Sequence, residues 1–158
     1  MKPLPKSDKT LLVRTDFSDA AAWKDICKKV RAPGPELQQA LGLFASLNEA
    51  MGQPLGELET PVHIVDDPKY KDLNADQLLR LLPKRSNHVL LLVADRVSIS
   101  DRAHPVLVID AGVEPGRTFR SVPSQVFAIE SNLSIANMDW EDFSGSVDGD
   151  GIFRGFPK

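Results

Sequence analysis

Apolar and polar positions fall into short runs whose spacing changes from segment to segment along the chain. Thr10 to Thr15 (TLLVRT) is a compact Leu/Val run and predicts a first strand, behind a polar tail over residues 1–9 that carries Pro3 and Pro5 and is expected to be flexible. A helix should begin at Asp16 or Ser18, with Ser18 as N-cap, because Trp23, Ile26, Cys27 and Val30 then recur at helical spacing on one stripe. Pro33-Gly34-Pro35 ends it. From Glu36 to Met51 the positions Leu37, Ala40, Leu41, Phe44, Leu47 and Met51 repeat with the same period and predict a second amphipathic helix.

Val62 to Val65 (VHIV) reads as a second strand, closed by Asp66-Asp67-Pro68, and Asn74 is placed to cap a helix that turns Leu78, Leu79, Leu81 and Leu82 inward. His88 to Ala94 (HVLLLVA) is almost continuously apolar, the pattern of a central strand covered on both faces. Between it and Val106 to Ile109 lie only the residues Asp95 to His104, with no helical pattern. A parallel crossover needs roughly a dozen residues or more, so these strands are antiparallel or else are not neighbours. Gly112 to Gly116 turns the chain into Arg117 to Val122, a further antiparallel partner. Pro123 opens a helix reaching about Ile135, and Asn137 or Asp139 caps a short one that directs Trp140 and Phe143 to the core. The tail from Asp148 mixes turn residues with aromatics that should dock. The fold expected is α/β: a mixed sheet of about five strands with helices on both faces.

With 158 residues, 42% of them apolar and 26% charged, the chain suits one globular domain spanning residues 1–158, with residues 33–60 as a helical insertion. No apolar run approaches the roughly 20 residues that cross a bilayer, and Leu11-Leu12-Val13 is too short for a secretory core. The expectation is a soluble protein with no membrane partner. A single cysteine, Cys27, forms no intramolecular disulfide, which makes a cytoplasmic setting the default. A net charge of −3 supplies no basic footprint for nucleic acid.

Two constellations carry candidate chemistry. In the first, predicted strands end in acid: Asp16, Asp66 with Asp67, Asp95 and Asp110. Ligands of open α/β sheets gather at the carboxyl ends of strands, so Asp16, Asp66, Asp67 and Asp95 could hold Mg²⁺, with Asp16 and Asp95 catalytic and Arg14 or Arg96 orienting an anion. An antiparallel fourth strand sends Asp110 to the opposite edge. Against this stands the ordinary use of Asp in caps and turns. The second constellation is the polar C-terminal third, where Arg117, Arg120, Asn132, Asn137 and Arg154 offer guanidinium and amide groups that could read a carboxylate, a phosphate or a partner backbone. Their plainer use is to satisfy helix ends and pair with nearby acids.

Other patterns are weaker. Asp148, Asp150 and Gly151 imitate part of a calcium loop, but Pro157 stands where its bidentate Glu belongs. His63, His88 and His104 are too scattered for zinc, and Cys27 sits on an apolar stripe as a core residue would. No Gly-x-Ser-x-Gly elbow, P-loop, HExxH or CxxC is present.

The segments LLVRTDFSDAAAWKDIC (Leu11 to Cys27), VHIVDDPKY (Val62 to Tyr70), GRTFR (Gly116 to Arg120), NLSIANMD (Asn132 to Asp139) and FRGF (Phe153 to Phe156) resemble a family of small uncharacterised, mainly bacterial proteins, a domain of unknown function. The region from Pro33 to Thr60 stands outside that pattern. The resemblance implies one domain and brings no activity, cofactor or catalytic residue with it. The chemistry therefore favours a non-enzymatic binding or protein-interaction module that uses residues 117–156 and needs no cofactor. A metal-dependent enzyme acting on a small phosphorylated or carboxylated substrate is the alternative, and the Leu37 to Met51 stripe raises a homodimer as a third.

Overall fold

The computed structural model describes residues 2–32, 39 and 59–156. The predicted helix over 36–51, and with it the stripe invoked for a dimer, lies outside the described residues. Six strands form one mixed sheet: β1 (Thr10–Arg14), β2 (Val62–Val65), β3 (Leu90–Ala94), β4 (Val106–Asp110), β5 (Thr118–Ser121) and β6 (Ile152–Phe153), in the order β2-β1-β3-β4-β5-β6. β1 pairs in parallel with β2 and β3, β4 runs antiparallel to β3 and β5, and β6 is parallel to β5. The antiparallel β3–β4–β5 arrangement is the one that the short connection after β3 requires.

Alternation along the strands feeds two separate cores. Leu12, Leu90, Leu92, Val106 and Val108 face α1 (Ala20–Arg31) and the later helices, where Trp23, Ile26, Val30, Val126, Ile129, Trp140 and Phe143 close over them. Leu11, Val13, Leu91, Val93 and Ile109 face the other way, against Leu4, Tyr70 and Leu78 of α2 (Ala75–Arg80). All five positions of β1 and of β3 are buried, which is why β3 reads as an unbroken apolar run and β1 as a Leu/Val run between Thr10 and Arg14. Truncating Leu78, which is fully buried, would cost about 2–5 kcal/mol.

Several local details add to or depart from the expectations. Within the N-terminal tail Leu4 is buried, its N–H donates to the Leu81 carbonyl at 2.8 Å, and the Tyr70 hydroxyl donates to the Pro3 carbonyl at 2.7 Å. The β3–β4 connection contains a short helix, α3 (Arg96–Ser100), started by a capping box between Asp95 and Ser98. The tail aromatics dock by joining the sheet as β6, a sixth strand. The first helix is capped by Asp19, not Ser18, through its Oδ1 and the N–H groups of Ala21 and Ala22. Two further helices, α4 (Val126–Ser134) and α5 (Trp140–Ser144), complete five among the described residues. None of these helices is long and apolar enough to cross a membrane.

Candidate functional site

The C-terminal arginines are spent on the protein itself. Arg117 donates from Nε and Nη2 to Asp110 Oδ2 at 2.9 and 2.7 Å, reaches Glu141 with Nη1, and lies over the Trp140 ring. Arg120 grips Asp95 with both nitrogens, at 2.9 and 2.7 Å, and also donates to the Pro105 carbonyl. Arg154 pairs with Asp148 and, two-pronged, with Asp150. Asn132 donates to the Ala128 carbonyl and accepts from Asn137, holding the turn in which Ala136 adopts a φ of 55°. Arg120 thus ties the two sequence-level constellations together, because its partner is a strand-end aspartate. These side chains are brought near acids and helix ends, not into one open groove.

The strand-end carboxylates are likewise divided among separate tasks. Asp16 accepts from the backbone N–H and hydroxyl of Ser18, and that hydroxyl, more than any charge, holds its carboxyl below the usual range. Asp66 receives Arg14 Nη1 at 3.2 Å and Trp23 Nε1 at 3.1 Å, and Asp67 caps the 3₁₀ turn at Pro68–Tyr70 while pairing with Lys2. Asp95 caps α3; burial pushes its carboxyl up, and the bond to Arg120 with the Ser98 N–H more than reverses that, so the net direction is down. Asp110 lies at the opposite edge, as antiparallel β4 requires, opposite Leu90 in the register. Among the described residues no group of three or more His, Cys, Asp or Glu side chains, Asp16, Asp66, Asp67 and Asp95 included, is arranged to hold a metal ion. Burial pushes the Cys27 thiol up to about 11, as suits a packed side chain and not a nucleophile.

A different place was missed. At the end of the sheet where β1 and β3 begin, the segment before β1 and the segment before β3 enclose a cleft of about 920 Å³ lined by Lys6, Ser7, Asp8, Pro83 to Asn87 and His88. Lys6, Lys84 and Arg85 meet only one acid in its lining, Asp8, and among the described residues none of the three is in an ion pair, whereas Arg14, Arg117, Arg120 and Arg154 all are. Its floor is a turn in which the Ser86 N–H donates to the Pro83 carbonyl at 3.1 Å. Arg85 occupies the third position of that turn with φ at 65°, the left-handed region that glycine or asparagine fills at little cost. Half-buried His88 closes the cleft, and burial pulls its imidazole below the ordinary histidine value. The sequence held one signal: Pro83-Lys84-Arg85-Ser86-Asn87-His88 places adjacent bases in a polar linker. Its other wall comes from three residues, Lys6 to Asp8, more than 70 positions away, which no local pattern displays.

Fold and cleft define a small α/β domain with a mixed six-stranded sheet and a basic recess at one end of it. The chain belongs to the family described as Domain of unknown function (DUF6924), whose family model matches residues 9–156. No curated protein matches the chain.

Proposed function

We propose that this protein is a non-enzymatic binding module and that it recognises an anionic ligand through the cleft between residues 6–8 and 83–88. One observation carries the reading: in a chain with a net charge of −3, Lys6, Lys84 and Arg85 line one recess together with a single carboxylate, Asp8. Three cations against one carboxylate raise the local concentration of an anion, and partial enclosure strengthens the attraction over that at an open surface. Ser7, Ser86, Asn87 and neutral His88 add hydrogen-bond donors that give an anion orientation as well as charge. Binding is favoured over turnover because, among the described residues, His88 is hydrogen-bonded to no hydroxyl or thiol that it could activate, and the one histidine ring hydrogen bond joins His104 Nδ1 to a backbone carbonyl, that of Ser98. A cytoplasmic setting remains our reading for a chain with one buried-leaning cysteine.

Isothermal titration with inorganic phosphate and with citrate at pH 7.5 tests this. A saturable heat with either anion, reduced at least tenfold in affinity by the Lys84→Ala/Arg85→Ala double variant, is expected. No saturable heat with either anion, or affinity unchanged in that variant, overturns the proposal.

A further inference from the structure

The composition of the cleft narrows the kind of anion it takes. Resting on the anion-binding reading above, we infer that the recognised group is a phosphate, carried on a small organic body, and not a carboxylate. A carboxylate presents two oxygens in one plane and a single charge, a demand that one guanidinium fork already meets, as Arg120 meets Asp95 and Arg154 meets Asp150 elsewhere in this molecule. In the cleft, cations arrive from two walls, Lys6 on one and Lys84 with Arg85 on the other, with hydroxyl and amide groups between them. That arrangement suits a group with three terminal oxygens and a charge of about −1.5 to −2. The Ser7 hydroxyl already accepts from the Lys9 N–H at 3.1 Å, which fixes its oxygen and leaves its hydrogen to donate. A volume of about 920 Å³ lies within the range that holds an organic ligand and leaves room beyond the phosphate itself.

The backbone adds independent support. The third position of the Pro83–Ser86 turn is one that glycine would fill without strain, and here it carries Arg85 at a φ of 65°. A left-handed non-glycine residue that stability alone would disfavour, placed in the wall of a recess, is the kind of local strain that marks binding sites. It holds the guanidinium on a fixed turn and not on a mobile loop.

The test is titration of the full chain with phenyl phosphate, inorganic phosphate and benzoate at pH 7.5 and constant ionic strength. Phenyl phosphate should bind saturably and benzoate at least tenfold more weakly. Arg85→Gly should lower the affinity for phenyl phosphate at least threefold while its melting temperature rises, a pairing that rules out misfolding as the cause. Inorganic phosphate binding as tightly as the ester also supports phosphate as the recognised group and assigns the cleft to the free ion. Benzoate binding as tightly as phenyl phosphate overturns the inference and leaves the anion-binding reading standing, whereas failure of all three to bind overturns the inference, and the anion-binding reading falls with it if citrate also gives no saturable heat.

Discussion

The C-terminal third and the turn before β3 are both rich in basic residues, and they use them in opposite ways. Arg117, Arg120 and Arg154 each meet a carboxylate at 2.7 Å, and these pairs brace β4, β5 and the end of the chain. Lys84 and Arg85 stand exposed on a turn and, among the described residues, are in no ion pair; Asp8 is the one acid in the lining of the cleft. A guanidinium beside an acid of its own sheet stabilises the fold; one held away from acids is available to a ligand. The distinction lies in the partners, which residue type does not reveal.

That comparison can be broken most forcefully at Asp110. Its side chain is buried and accepts from the N–H groups of Gly112 and Glu114 and from two nitrogens of Arg117. Asp110→Ala should cost about 3 kcal/mol, because it leaves two backbone donors without their acceptor and removes two of the hydrogen bonds of Arg117, and denaturant unfolding will read the loss. Arg120→Ala should cost about 2 kcal/mol through the bonds to Asp95 and Pro105, with phosphate affinity unchanged. Across the molecule the sign reverses: Arg85→Gly should raise stability by roughly 0.5–1 kcal/mol, since glycine relieves the left-handed strain and returns part of the gain as unfolded-state entropy.

The smallest effect is a pH dependence at His88. Burial lowers its folded pKa below the ordinary 6.5, so the unfolded chain binds its proton first and stability falls as pH drops from about 7.5 through 6.5. His88→Gln should flatten this part of the stability profile. Saturating phosphate should flatten it too, because an anion beside the imidazole favours its protonated form. A profile identical in wild type and His88→Gln would place the histidine outside the titration.

Much of the sheet was legible because its signals were local. VHIV is bounded by Pro61 and Asp66, and the strand occupies Val62–Val65; Asn74 capped the helix expected of it, and HVLLLVA contained the central strand. The short link after β3 was enough to orient β4. What was not legible depended on distance along the chain or on elements too short to show a period. RVSIS makes one turn and a half of helix, and β6 is two residues that become a strand only by meeting Arg120 and Ser121. Leu4 is a lone apolar residue in a polar tail, buried because residues near 81 lie beside it. The C-terminal arginines are conspicuous by type, and their acids sit between 3 and 25 positions away. The cleft escaped notice for the same reason, since its two walls are joined only by the fold.

Chemical-shift mapping of the amide resonances during a phosphate titration tests the contrast most directly. The largest saturable shifts should fall on residues 6–8 and 84–88, with those of Arg117, Arg120, Asn132, Asn137 and Arg154 nearly stationary. Saturable shifts centred on the C-terminal residues, with residues 84–88 unmoved, would contradict the account.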